Sequence, residues 1–309
     1  MILSVSRRTD IPALYWDWFL ARLRAGEALV RNPFSPRQVS RLLLSPDTVD
    51  GIVFWSKDPR ALPASLDALA PYPFYLQFTL TAYGPDAEPG LPPKPALEDG
   101  FLRLAEALGP GRVLWRYDPV FLTARYTADW HAAQFARLAR KLRGATGRCT
   151  VSFLDFYRNT AARMAPLGLV PLDGAGQRRL LARFAPAARA AGMRLCTCAE
   201  AGDFSGLGVE HGACVDAGLL GRLGGWPLDA PRDKNQRPAC GCAQSVDLGV
   251  YNTCTHGCLY CYAVRQPSET PRLRARYDPQ SPLLCGRLAP GDAVKTRAMP
   301  AFRRAQLHF

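Results

Sequence analysis

Short runs dominated by apolar and β-branched residues recur along the chain: ILSVS (2–6), DGIVFWS (50–56), FYLQFTLT (74–81), RVLWRYD (112–118), CTVSFLD (149–155) and MRLCTCA (193–199), with a weaker one at SVDLGVY (245–251). Runs of this length and composition predict β-strands. Between them lie segments with apolar residues at helical spacing, YWDWFLARLRAG, ALEDGFLRLAEALG and TADWHAAQFARLARKLRG, each closing on a glycine. Glycine is the residue that most readily ends a helix. Strands alternating with amphipathic helices imply an α/β fold with a parallel sheet and right-handed crossovers. Six or seven such units favour a closed or partly closed (β/α) barrel over an open sheet. The beat weakens after residue 199, so 1–199 reads as the barrel core and 200–309 as a Cys-rich region that completes it. The stretch AYGPDAEPGLPPKPALED, rich in Pro and Gly, is expected to cover one end of the barrel.

The strand-like runs end in SRRTD, WSKDP, TLTAY, WRYDP, FLDFY and CTCAE. In a barrel this gathers Arg7, Arg8, Asp10, Lys57, Asp58, Arg116, Asp118, Asp155 and Glu200 at one rim, where barrels of this kind build their active sites. The plainer alternative is that polar residues mark where any strand meets solvent. Trp16, Trp18 and Trp55 fall in helix- or strand-like runs and are expected in the core. His131, on an amphipathic helix, is expected to pack or face water.

Composition narrows the compartment and the partners. The chain has 309 residues, 48% of them hydrophobic and 21% charged, enough to bury a substantial core. No apolar run approaches the roughly 20 residues of a membrane span, and no apolar stretch follows the arginine pair of MILSVSRRTDIPALYW, so no export signal fits. The expected location is the cytoplasm, where thiols stay reduced; clustered cysteines then point to metal binding or catalysis before disulfides. A net charge of +13, with nine Arg or Lys against three Asp or Glu in residues 262–309, would suit a nucleic acid. Equally, the 34 Arg to 5 Lys usage can reflect solvated helix faces such as FARLARKLRG and QRRLLARF.

The densest chemistry is YNTCTHGCLYCYA (251–263), which places Cys254, Cys258 and Cys261 within eight positions. A C-x3-C-x2-C loop can hold an iron-sulfur cluster with one ligand position left over. It can also hold structural zinc, completed by His256 or a distant cysteine, or form a redox pair at Cys258 and Cys261. Cys198, Cys214, Cys240 and Cys242 make a second set of four thiols, enough for a second cluster or one zinc ion. Cys149 and Cys196 read as core thiols, and Cys285 as a possible substitute ligand. His211 and His256 flank cysteines but read as loop residues.

CTHGCLYC, with Tyr260 before the last cysteine, resembles the signature of the radical SAM superfamily. SVSRRTDIPALY, IVFWSKDP, QFTLTAYG, RVLWRYDP, VSFLDFY, DKNQRPACGC and YNTCTHGCLYCYA together resemble a bacterial family of unassigned function within it, whose members are sometimes labelled similar to spore photoproduct lyase. The resemblance implies that Cys254, Cys258 and Cys261 hold a 4Fe-4S cluster whose open iron binds S-adenosylmethionine (SAM). It also implies reductive cleavage of SAM to a 5'-deoxyadenosyl radical, an electron donor such as flavodoxin or ferredoxin, and a second 4Fe-4S cluster at Cys198, Cys214, Cys240 and Cys242. Arg7, Arg8, Lys57 and Arg116 would clamp an anionic group, and Asp10, Asp118, Asp155 and Glu200 would orient hydroxyls or amines. The substrate would be a small anion or a nucleic acid. In the superfamily the motif follows the first barrel strand; here it follows the last candidate strand, which implies a permuted order with residues 245–251 beside SRRTD. RLGGW (222–226) reads as an ordinary loop.

Overall fold

In the computed structural model, which describes residues 1–304, the chain opens with β1 (Ile2–Val5), α1 (Ile11–Leu14) and α2 (Trp16–Ala25), then a hairpin of β2 (Glu27–Arg31) and β3 (Gln38–Leu43). It continues through β4 (Gly51–Ser56), β5 (Phe74–Thr79), α3 (Lys94–Leu108), β6 (Val113–Val120), α4 (Ala128–Lys141), β7 (Arg148–Phe153), α5 (Ala161–Met164), α6 (Gly174–Ala190) and β8 (Arg194–Thr197). The remainder carries β9 (Val209–His211), α7 (Ala217–Gly224), β10 (Val246–Asp247), α8 (Glu269–Arg274) and β11 (Ala293–Thr296). The last five residues of the basic segment 262–309 lie outside the described residues.

Eight strands form one parallel sheet in the order β10-β1-β4-β5-β6-β7-β8-β9. Each run that the sequence pattern marks as a strand contributes to it, and β10 lies beside β1, with Leu3 opposite Val246 and Ser4 opposite Asp247. Of the closed or partly closed barrel expected, the α/β class with a large parallel sheet is found and closure is not: β9 and β10 are the sheet's two edges, and no ladder joins them among the described residues. They have three and two residues, and each pairs on one side only, β9 with β8 and β10 with β1. The space between them is taken by loops instead, where the Ala243 amide donates to the Val215 carbonyl at 2.9 Å.

Strand side chains alternate between two environments, as a period of two requires. Leu3, Val5, Ile52, Phe54, Phe74, Leu76, Phe78, Val113, Trp115 and Tyr117 point to the helix-covered face and form the main core. There α4 and α6 pack through Phe135 and Phe184, stacked at 4.3 Å, with Trp115 against Phe135 at 4.9 Å. Thr127 and Asp173 cap these helices by accepting from the Trp130 and Gly176 amides, which satisfies first-turn N–H groups. The same core takes in Leu248, Leu284 and Cys285 from the late part of the chain. Ile2, Val53, Tyr75 and Leu114 point to the opposite, inner face, against α7 and the loops that carry Cys214, Cys240 and Cys242. A second sheet, β11-β3-β2, lies apart from the first and was not expected from the sequence. Among the described residues no helix is long and apolar enough to cross a membrane.

Candidate metal centre

The motif loop is built from its ends inward. Asp247, in β10, accepts from the Ser4 hydroxyl at 2.7 Å, the Ser6 hydroxyl at 2.6 Å and the Arg7 amide at 2.8 Å, tying the loop's entry to the end of β1. Gly249 must be glycine, since a Cβ there would lie 1.9 Å from the Ser6 hydroxyl. Asn252 takes a left-handed conformation (φ 62°), which asparagine tolerates better than most residues. Its amide donates to the Ala263 carbonyl at 3.0 Å, and its side-chain oxygen accepts from the Arg265 and Gln266 amides. One residue thus closes both ends of the cysteine loop.

The Pro/Gly-rich segment does cover this end of the sheet. The Leu259 amide donates to the Ala87 carbonyl at 3.0 Å, and the Gly90 amide donates to the His256 carbonyl at 2.8 Å. A Cβ on Gly90 would come within 2.7 Å of that carbonyl oxygen. Between these contacts sits Glu88, a buried carboxylate that the sequence reading missed. It accepts from Lys57 and Thr81 at 2.9 and 2.8 Å, and from Lys94 and the Tyr260 hydroxyl. Burial opposes its ionisation, but Lys57 and Lys94 outweigh burial and hold the carboxyl at about 2. Lys57 itself titrates above its ordinary value: burial works against the charge, and Glu88 and Cys258 more than offset it. The only sequence signal for Glu88 was an acidic residue inside a loop already read as a cover.

Asp10 joins α1, the end of β4 and the motif loop. Buried, it accepts from the Ser56 hydroxyl at 2.6 Å, the Lys57 amide at 2.8 Å, the Ala13 amide as the cap of α1, and His256 Nε2 at 2.9 Å. Burial raises its pKa, while His256, Ser56 and Lys57 pull it further down and leave it below the ordinary carboxylate value. His256 is therefore engaged by Asp10. Cys258 is buried beside Lys57, and burial pushes its thiol up to about 12 against the pull of that ammonium. Cys254 and Cys261 are half-buried. The Arg163 guanidinium donates to the Cys261 carbonyl at 2.7 Å.

The second set of cysteines is assembled from three separate places: Cys198 just after β8, Cys214 after β9, and Cys240 and Cys242 before β10. All four are buried and none is in a disulfide. The sulfurs of Cys198, Cys240 and Cys242 lie within 4.8 Å of one another, and Cys214 Sγ is 3.0 Å from Cys198 Sγ. The Cys214 and Val215 amides donate to Cys242 Sγ at 3.2 and 3.4 Å. Tyr75 and Gln77, from the inner face of β5, donate to the Cys214 carbonyl at 2.6 and 2.8 Å and fix this loop against the sheet. Hydrogen bonding from neighbouring thiols pulls Cys240 down to about 3 and Cys242 to about 7, while the same contacts push Cys198 far up.

Between the two sets the inner face is charged. The Arg116 guanidinium donates to Cys214 Sγ and to Asp118, and lies over the Trp55 ring at 5.1 Å. Trp55 is thus not wholly a core residue as expected: alternation along β4 turns it inward, where Arg7 also approaches its ring at 6.0 Å. Arg7 donates to Ser245 at 3.1 Å and faces Asp233 and Asp247. Arg8 lies over Tyr251 at 5.1 Å. Asp118 also accepts from Ser152, and Asp155 from Arg237. Glu200 accepts from the Phe153 amide at 2.9 Å, and burial pushes its carboxyl up. Asp58 pairs with Arg60 at the surface. The rim residues therefore share one end of the sheet, though several are already committed to one another. A cleft of about 750 Å³ runs between the segment 200–211 and the loop 232–241, lined by Glu200, Phe204, His211, Arg232 and Cys240.

Trp16 and Trp18 are buried in the main core. His131 packs inside, bridging the Tyr117 hydroxyl at 2.9 Å and the Phe121 carbonyl at 2.8 Å. Cys149 and Cys196 are buried strand thiols. Cys285 sits in the main core and His211 in β9, while RLGGW ends α7 with Gly225 in a left-handed cap.

These features define an α/β protein with a large open parallel sheet and two cysteine groups, one in the loop after β10 and one packed against the sheet's inner face. The chain belongs to the family described as a domain of unknown function (DUF1848), whose model matches residues 2–263 and so ends two residues after Cys261. No curated protein and no solved structure matches the chain.

Proposed function

We propose that the protein is a radical SAM enzyme acting on a substrate bound against the charged inner face. The reading is supported above all by one observation: the C-x3-C-x2-C loop stands at the carboxyl end of β10, beside β1, at the rim that carries Arg7, Lys57 and, next inward, Arg116. The donor set fits the cluster. Three soft thiols, none in a disulfide, would hold three irons of a 4Fe-4S cluster and leave the fourth to chelate SAM. When bound, that pair supplies the electron and the carbon-sulfur bond whose reductive cleavage gives methionine and a 5'-deoxyadenosyl radical.

The chain's own part is binding, orientation and exclusion of water. Lys57 and Arg7 offer charge-assisted donors to carboxylate or phosphate groups. Trp55 offers an aromatic face, and Asp118 and Glu200 offer acceptors. Asp10, Glu88 and Asn252 hold the motif loop in place and touch no substrate. A flavodoxin or ferredoxin would supply electrons. A small anionic substrate suits the enclosed positions of Arg7 and Lys57 better than a long polyanion, and a steep salt dependence would reverse that preference.

The test is iron and acid-labile sulfide content of the anaerobically reconstituted chain, with EPR of the reduced sample before and after SAM is added. The expected result is a cubane signal that shifts with SAM and disappears in the Cys254→Ala, Cys258→Ala, Cys261→Ala variant. A cubane that ignores SAM, or zinc bound in its place, would favour a non-catalytic iron-sulfur or zinc protein that binds nucleic acid or a partner.

A further inference from the structure

We propose that Cys198, Cys214, Cys240 and Cys242 hold one tetrahedrally coordinated metal ion, zinc by its chemistry, rather than a second cluster. The inference concerns these four thiols alone and does not rest on radical chemistry at the motif loop.

The spacing decides between the two occupants. Four thiolates around one ion, with metal-sulfur bonds of about 2.3 Å, stand about 3.8 Å apart in a tetrahedron. Three of these sulfurs lie within 4.8 Å of one another, and the fourth touches Cys198 Sγ at 3.0 Å. A cubane instead carries its thiolates on separate irons around the outside of an eight-atom core. With Cys198, Cys240 and Cys242 this close to one another and Cys214 against Cys198, that core does not fit between them. Soft, four-sulfur, tetrahedral donor sets select zinc or iron. A closed site without an open position is the structural form of such sites.

The surroundings suit an anionic four-thiolate centre. Binding a divalent ion releases the thiol protons to solvent and leaves a site of net charge −2. Arg116 offsets part of that charge through Cys214, and the Cys214 and Val215 amides donate to Cys242 Sγ. Ile2, Val53, Leu114 and Ala243 pack apolar side chains around the thiols on the sheet side, and Cys240 lines the neighbouring cleft.

Position gives the ion its role. Its ligands come from the end of β8, the loop after β9 and the loop before β10, and thus span the gap between the sheet's two unpaired edges. The metal would join by coordination what the strands do not join by hydrogen bonds. Residues 240–242 would be held against the inner face, and with them the chain that leads into β10 and the motif loop.

The Cys254→Ala, Cys258→Ala, Cys261→Ala chain tests the inference, because any metal it retains belongs to the second set. Elemental analysis is expected to find one zinc per chain and no acid-labile sulfide. X-ray absorption at the zinc edge of the unsubstituted chain, which needs no variant to fold, is expected to show four sulfur neighbours. Cobalt loaded in place of zinc should give the intense visible bands of a tetrahedral thiolate complex, and these should be lost in Cys240→Ser. A single iron with four sulfur ligands and no sulfide also supports the one-ion site. Multiple irons with sulfide in the triple variant, or no bound metal, would overturn it. Failure of the unsubstituted, reconstituted chain to cleave SAM while its zinc is intact would count against the enzyme reading only.

Discussion

The two cysteine groups are made in opposite ways. Cys254, Cys258 and Cys261 belong to a single short loop whose thiols are not drawn into mutual contact; Asn252 closes the loop from within, and Asp247, Asp10, Glu88 and the segment 87–90 hold it from outside. Cys198, Cys214, Cys240 and Cys242 come from three places in the chain, and their sulfurs themselves form the junction. The first group is a site held by a scaffold. The second is part of the scaffold. A cofactor with an open coordination position suits the former arrangement, because the protein keeps the loop's shape whether or not every ligand position is filled. A closed ion suits the latter.

The sharpest way to break this comparison is to remove the support of the motif loop and ask whether the second group notices. Glu88→Ala leaves Lys57 and Lys94 buried without their shared partner, and breaking a buried ion pair in this way costs about 3–5 kcal/mol. Chemical denaturation is expected to show a loss of that size, with the metal content of the second group unchanged. Loss of both together would mean that the two groups are one cooperative unit.

Acid provides a finer test. The Glu88 carboxyl is held at about 2, below the value near 4.3 expected in the unfolded chain. A depressed carboxyl contributes its stability in full above the unfolded value and loses it as pH falls through the folded one. The advantage of the natural chain over Glu88→Gln should therefore be constant above about pH 5 and fade towards pH 2. An advantage that changed instead between pH 6 and 8 would show that another group governs the loop.

The smallest expected effect is Tyr260→Phe. It removes one donor from Glu88 while Lys57, Lys94 and Thr81 remain, so a loss of about 1 kcal/mol is expected. A much larger loss, or a fall in iron at the motif loop, would mean that the hydroxyl acts on the cysteines as well as on the carboxylate.

Much of the large sheet was legible because its strands are apolar on both faces and punctuated by helices with clear periodicity. The pairing of β10 with β1 followed from placing a late cysteine loop at a shared rim. Strand β9 was not legible: three residues, Val209, Glu210 and His211, carry no period. The β2-β3-β11 sheet escaped because its strands mix Arg, Gln, Ser and Lys with few apolar positions. At the site, the cysteines and the basic rim residues were visible by type. Glu88, Asn252 and Arg237 were not, because what distinguishes them is who they meet across long stretches of chain. Trp55 was misjudged for a related reason. Apolar residues line both faces of β4, so composition alone could not say which side the indole takes.

The pairing of Ser4 with Asp247 joins residues separated by 243 positions. During synthesis β1 emerges first and waits, with one edge uncovered, until nearly the whole sheet has been made. Contacts this distant are closed slowly, and an uncovered strand edge invites pairing with another chain. Aggregation of a chain that stops short of β10 is the hazard that this order of assembly carries. The same delay means that the motif cysteines reach the ribosome's exit only after most of the surrounding residues have had time to take shape, so the motif loop is laid onto a largely finished surface.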